Sequence, residues 1–243
     1  MSLPGGLFAP RFAHRGLWSP AGPPENSLSA FEAACAAGYG MELDVRLSAA
    51  GEAMVFHDDA LERMTGVEAP FAGLSAKALG ALALNGGPDR IPTLGETFAR
   101  VASRGMILVE IKTGPGADGP LPARVAELID AYDGPVAVIS FDPAPLAWFA
   151  RHRPHVRRGL DAAGFADADV ASTTSDLTQA FAHLLDSAQP DFLVLQLDTA
   201  LGALAAQERA NGRPVLAWTV RSTEDAARVK TACDNFIFEG FAA

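Results

Sequence analysis

The sequence predicts an α/β chain folded as a single (β/α)8 TIM barrel over residues 1–243, with a hairpin and a short insertion (58–93) after the second strand. Three observations predict it. Short apolar or β-branched runs alternate with longer helical patterns in eight rounds over 243 residues, the length and rhythm of a closed parallel barrel. The strands finish in charged or polar residues at one end, the rim where function collects in that fold. No composition shift, internal repeat or low-complexity segment marks a second domain. A doubly wound open sheet is the competing fold.

The elements follow in order. RFAHR (11–15) is the first strand, and SLSAFEAACAAG (27–38) the first helix, capped by Asn26 or Ser27. MELDV (41–45) is the second strand, and the tight connection SAAGE (48–52) returns it as AMVFH (53–57). Strand side chains alternate faces, so Glu42 and Asp44 point one way and Leu43 and Val45 the other. A hairpin centred near Ala50 brings His57 back to the level of the two acids. Residues 58–93, rich in glycine and proline around a short helix SAKALGALAL (75–84), form an excursion over the barrel mouth. Thr93 caps TLGETFARVASRG (93–105), and MILVEIK (106–112) is the next strand. Then come helix PARVAELIDAY (122–132), strand VAVISF (136–141), helix APLAWFARH (144–152) and strand VRRGLDA (156–162). The capping segment TTSDLT (173–178) starts helix SDLTQAFAHLLDS (175–187). Strand DFLVLQL (191–197), helix LGALAAQERANG (201–212), strand PVLAWTV (214–220), helix TEDAARVKTAC (223–233) behind Ser222, and strand NFIFEG (235–240) complete the chain. Gly38, Gly105 and Gly212 follow helices where left-handed caps are common.

Composition bounds the function. Hydrophobic content of 49% and 20% charged residues are ordinary for a soluble domain. No apolar run approaches the roughly 18 residues of a membrane helix, so no stable membrane association is expected. The start, MSLPGGLFAPRFAHRG, lacks the basic and apolar regions of a signal peptide. Cys35 and Cys233 have neither disulfide density nor metal-ligand spacing, and a cytoplasmic setting is expected, with the periplasm the alternative if a leader has been cleaved. A net charge of −10 without a Lys/Arg cluster argues against nucleic acid. It leaves room for an anionic small molecule, because inward cations and a metal reverse the sign of one pocket.

The polar strand ends supply the candidate site. Glu42, Asp44 and Glu110 suit a hard cation, Mg2+ or Ca2+, which prefers oxygen ligands; a buried ion network with Arg15 and Lys112 is the competing reading. His14 and His57 are suited to general acid and base work near neutral pH. Arg15 and Lys112 offer donors for a phosphate. Trp218 is either a pocket wall or barrel core. His152, His155 and His183 belong to helix ends or faces, and no nucleophile elbow, P-loop or dinucleotide glycine pattern occurs.

These residues lie in blocks. AHRG (13–16) with PENSLSAF (24–31), then ELDVRLSAAGEAMVFHDDALERMTG (42–66) with IPTLGETF (91–98), then LVEIK (108–112), SFDPAPLAWFARHRP and VLAWTV, resemble the glycerophosphodiester phosphodiesterases nearly end to end. The resemblance implies a metal-dependent barrel that hydrolyses small glycerophosphodiesters, such as glycerophosphocholine or glycerophosphoethanolamine, to glycerol 3-phosphate and an alcohol. In it His14 and His57 would be the acid/base pair, and Glu42, Asp44 and Glu110 would hold the metal. Arg15 and Lys112 would bind phosphate, Glu25 and Asn26 would order the pocket rim, and Phe141 and Trp218 would line the alcohol side. A barrel lyase of the phospholipase D toxin type, or a non-catalytic phosphodiester-binding barrel, are the alternatives. Three positions depart from the pattern: Glu239 in place of a common aspartate, Arg221 after WTV, and Met64 in place of a common threonine.

Overall fold

The computed structural model describes residues 10–114, 116–167 and 176–243. The first nine residues of the predicted leaderless start, and residues 173–175 of the predicted cap TTSDLT, lie outside them. In chain order the elements are β1 (Phe12–Ala13), α1 (Leu28–Ala36), β2 (Gly40–Leu47), β3 (Ala53–Val55), α2 (Glu62–Thr65), α3 (Ala76–Leu79), α4 (Leu94–Val101), β4 (Ile107–Ile111), α5 (Pro120–Asp130) and β5 (Val136–Ser140). There follow α6 (Pro143–His152), β6 (Arg157–Ala162), α7 (Asp176–Ala188), β7 (Phe192–Gln196), α8 (Leu197–Ala200), α9 (Ala203–Ala210), β8 (Val215–Val220), α10 (Thr223–Ala232) and β9 (Asn235–Phe238). The strands run β1-β9-β8-β7-β6-β5-β4-β2-β3, and β1 also pairs with β2. That pairing closes eight strands into a parallel barrel and leaves β3 outside the ring. By contacts the chain divides into residues 13–136, and residues 10–12 with 137–243.

In residues 13–136, β2 pairs in parallel with β4, placing Asp44 opposite Glu110, and antiparallel with β3, placing Val45 opposite Val55. Both faces of β2 are buried over Gly40–Val45: Met41, Leu43 and Val45 on one, Glu42 and Asp44 on the other. Each buried aliphatic side chain contributes roughly 1.5–3 kcal/mol, which holds the acidic face in place from behind. Ser27, not Asn26, caps α1 by accepting from the Ala30 N–H. Thr93 and Glu96 close a capping box on α4. That helix ends at Ala102 and Ser103, both in the left-handed region, so the predicted role of Gly105 passes to them. Gly105 instead fits a tight spot, where a Cβ would stand 3.1 Å from Met41 Cε.

The insertion carries its own apolar cluster of Met54, Phe56, Leu61, Met64, Phe71, Leu79, Leu84 and Ile91. The predicted helix over 75–84 shrinks to α3, because Gly80 ends it. A second short helix, α2, was not foreseen; Gly66, left-handed at φ 72°, closes it.

In residues 137–243, strands β5 to β9 pair in parallel in sequence order. Gly159 on β6 is required by packing, since a Cβ there would come within 2.4 Å of the Phe192 ring. β7 stops at Gln196, one residue short of the predicted strand end, because Gln196 opens the short helix α8. Ser222 caps α10 by accepting from the Asp225 N–H.

Candidate active site

The acidic centre is built by β2 and β4. Glu42 and Asp44 sit in the middle of β2, not at its end as the sequence suggests, because the strand runs on into the hairpin. Glu42, Asp44 and Glu110 are all buried, and one carboxylate oxygen from each lies within 4.8 Å of the others. Glu42 Oε1 is buried with no hydrogen-bond partner. Burial and the charges of Asp44 and Glu110 hold the Glu42 carboxyl well above its usual range. A donor set of three clustered, dehydrated carboxylates with an unsatisfied oxygen fits a hard divalent cation.

Two cations frame it. Lys112, immediately after β4, places Nζ 2.9 Å from Asp44 Oδ1 and 2.7 Å from Glu110 Oε1. Arg15 Nε lies 3.4 Å from Asp44 Oδ2, its Nη1 donates to Glu25 Oε1 at 2.9 Å, and its backbone N–H donates to Glu42 Oε2 at 2.9 Å. The backbone there is specially bent: Arg15 (φ 56°), Gly16 (φ 81°) and Asn26 (φ 54°) all adopt the left-handed region. This bend aims the Arg15 N–H at Glu42. Asn26 donates from Nδ2 to Asp44 Oδ2 at 2.7 Å and accepts from the Asp44 N–H at 3.3 Å. Burial opposes ionisation of Asp44, yet Lys112 and Arg15 pull its carboxyl far below the usual range.

The histidines flank the acids. His14, just past β1, brings Nε2 to 3.9 Å from Glu42 Oε2. His57 lies two residues beyond β3, which stops at Val55 and so falls short of the predicted AMVFH strand. His57 Nδ1 is 2.6 Å from Asp58 Oδ1. Asp58 is itself held ionised by Arg63 and His57, so its carboxylate accepts and Nδ1 carries the proton. Nε2 is left for chemistry. Burial, with help from Lys112 and Arg15, moves the His57 pKa down despite Asp44 and Asp58. The His57 carbonyl accepts from Arg46 Nε at 2.7 Å.

Phe141 and Trp218, in residues 137–243, meet edge to face at 5.4 Å. Trp218 Nε1 donates to the Val194 carbonyl at 3.2 Å, and the Phe141 side chain is exposed. Two of the departures from the family pattern pair with each other: Arg221 Nε donates to Glu239 Oε1 at 2.7 Å.

The acids, histidines and cations that the sequence singled out lie together in residues 13–136, joined there by Arg46, Arg63 and the Asn26 clamp on Asp44, which sequence reasoning did not single out. The run HDDALER held a signal for Arg63, since an arginine five residues beyond an acid can fold back over one turn.

Comparison with known proteins extends this picture. The model of the glycerophosphoryl diester phosphodiesterase family matches residues 14–237. A glycerophosphodiester phosphodiesterase of Caldanaerobacter subterraneus subsp. tengcongensis is 32% identical over 160 residues, which is 61% of this chain and 64% of that protein. The match thus spans under two thirds of that relative. The solved structure of an Oleispira antarctica phosphodiesterase in complex with the product sn-glycerol-3-phosphate superposes with a TM-score of 0.80 at 24% identity, covering 96% of this chain and 93% of that one. The glycerophosphodiester phosphodiesterase of Thermotoga maritima gives a TM-score of 0.72 at 27% identity, over 93% and 92% of the two chains. With the family match running from His14, beside the acidic centre, to Ile237 in the last strand, the chain belongs to the glycerophosphoryl diester phosphodiesterase family.

Proposed function

We propose that this chain hydrolyses glycerophosphodiesters, such as glycerophosphocholine or glycerophosphoethanolamine, to glycerol 3-phosphate and a free alcohol. The buried triad of Glu42, Asp44 and Glu110 carries the reading, with Glu42 Oε1 left without a hydrogen bond. These three residues would hold Mg2+ or Ca2+. When bound, such a cation supplies positive charge against the phosphoryl oxygens and offsets the repulsion among the acids.

The remaining steps belong to the chain. Arg15 and Lys112 carry more donors than the carboxylates beside them use, so both bind the anionic phosphodiester while holding Asp44. His57, neutral and with Nε2 available, removes the proton from the attacking oxygen. His14 protonates the leaving alkoxide as the phosphorus–oxygen bond breaks, so one proton is taken and one returned. Phe141 and Trp218, which meet edge to face, would line the alcohol side. Cys35 and Cys233 are free thiols, consistent with work in the reducing cytoplasm.

The test is release of glycerol 3-phosphate from both diesters by purified protein, with Mg2+ or Ca2+ and with chelator, followed by phosphorus NMR. Metal-dependent release supports the reading. Accumulation of a cyclic phosphate alone would replace hydrolysis by the lyase, and metal binding without turnover on either diester would leave a binding barrel.

A further inference from the structure

A line of ion pairs, all within residues 13–136, leaves the site and returns to it. From His57 Nδ1 it passes to Asp58 Oδ1 at 2.6 Å, and from Asp58 Oδ2 to Arg63 Nε at 2.6 Å. Arg63 then grips Glu25 with both terminal nitrogens, Nη2 to Oε1 at 2.6 Å and Nη1 to Oε2 at 3.1 Å. Glu25 Oε1 accepts from Arg15 Nη1 at 2.9 Å, and Arg15 reaches Asp44. Every junction from His57 to Arg15 is a charge-assisted hydrogen bond, the last step to Asp44 at 3.4 Å is an ion pair, and Arg63 uses its rigid planar fork at two of the junctions.

We infer that Arg63 is a positioning residue that fixes the histidine His57 and the phosphate-binding Arg15 in one common geometry. The inference rests on the hydrolase reading above and adds a residue to it.

The seat of Arg63 is firm. Its neighbours Leu61 and Met64 are buried in the apolar cluster of the insertion, and the Met64 carbonyl accepts from the Asn85 N–H at 2.7 Å. The α2 turn therefore delivers the guanidinium from a packed anchor, although the side chain itself is 48% exposed. A simple surface ion pair at such exposure contributes little. Arg63 differs because it holds two acids at once: Glu25 keeps one bond from Arg15 without it, but its link to Asp58 is lost. Glu25 is buried, and its carboxyl is drawn below the usual range by Arg63 and Arg15 against the cost of burial. Among the described residues, Asp58 without Arg63 keeps only its His57 hydrogen bond, and its carboxylate is released to rotate. The short helix of the insertion thus does more than cover the hairpin: it ties the base to the anion site.

The experiment is steady-state kinetics on glycerophosphocholine with saturating Mg2+. The panel is Arg63→Ala, Arg63→Lys, Asp58→Asn, Glu25→Gln, the doubles R63A/D58N and R63A/E25Q, and His57→Ala as the reference for the activity itself. The expected pattern is a split. Asp58→Asn lowers kcat with KM nearly unchanged, Glu25→Gln chiefly raises KM, and Arg63→Ala does both, lowering kcat about 10- to 100-fold. The doubles are non-additive, R63A/D58N in kcat and R63A/E25Q in KM. Sub-denaturing guanidinium chloride partly restores Arg63→Ala and leaves Asp58→Asn unchanged. A merely structural arginine gives none of this split or rescue. If Arg63→Ala does not fold, Arg63→Lys, which keeps the charge and loses the fork, carries the same split at smaller size. Wild-type kcat and KM in the Arg63 variants, with His57→Ala inactive, would overturn the inference and leave the hydrolase reading standing. Fully additive doubles would also overturn it. A fully active His57→Ala would overturn the reading beneath it as well.

Discussion

Asp44 stands opposite Glu110 in the parallel register of β2 and β4, and Lys112 Nζ bridges the two carboxylates. The same cation serves them unequally. Asp44 has Arg15 and Asn26 as well, and stays ionised. Glu110 is pushed up to about 7 by burial and by the charge of Asp44, which together outweigh the pull of Lys112. Glu42 is also held well above its usual range by burial and by the charges of Asp44 and Glu110, and its hydrogen bond comes from a neutral donor, the Arg15 backbone N–H. The centre is thus short of positive charge, and this shortage makes cation binding measurable.

Glu42→Gln removes a repelling charge that burial already disfavours. Without metal, its Tm is expected to equal or exceed that of the wild type. With Mg2+ at about a hundred times its Kd, the wild type gains about 2.7 kcal/mol, or roughly 5–10 °C for a chain of this length. The variant is expected to lose most of that gain. Thermal melts with chelator and with Mg2+ check both parts, and an undiminished shift would remove Glu42 from the ligand set.

His14→Ala and His57→Ala are each expected to lower kcat roughly 10²- to 10⁴-fold. Both side chains are partly exposed and neither fills the core, so Tm should hardly change. Parallel kinetics and melts separate the two effects. Retained turnover in either variant would reassign that histidine.

Acid should weaken the fold through Glu25 and Asp58. Both carboxyls titrate below their unfolded values, drawn down by arginines despite burial. The native state then binds fewer protons than the unfolded state between the two values. Their stabilisation is complete above an unfolded pKa of about 4 and disappears as pH falls through the lower folded values. Urea unfolding from pH 6 to pH 3 should show falling stability with acid, and a shallower fall in the double variant E25Q/D58N. An unchanged slope in that variant would place the acid sensitivity elsewhere.

Gly16→Ala tests the bend beneath Arg15. Gly16 has φ 81°, and a Cβ there would lie 2.9 Å from Ala30 Cβ and 3.0 Å from Phe31 Cδ1. The strain should destabilise the protein by roughly 1–3 kcal/mol. Because Arg15 precedes it, KM should rise more than kcat falls. A KM equal to wild type would mean that α1 yields and the Arg15 loop does not.

The sequence alone determined the strand rhythm and the pairing of acids on one strand face. Period-2 alternation puts Glu42 with Asp44 opposite the aliphatic residues, and the hairpin centre near Ala50 agrees with the observed register of Val45 against Val55. Such local features follow from backbone geometry, which sequence spacing encodes directly. What lay beyond it was set by approach through space. Asn26 looked like a helix cap and proved to clamp Asp44, and Arg63, which sequence reasoning did not single out, grips Glu25, 38 residues earlier in the chain. Charge pairing depends on separation in three dimensions and on burial, and neither is written in the interval between two residues. Only the tertiary fold decided which cation met which acid.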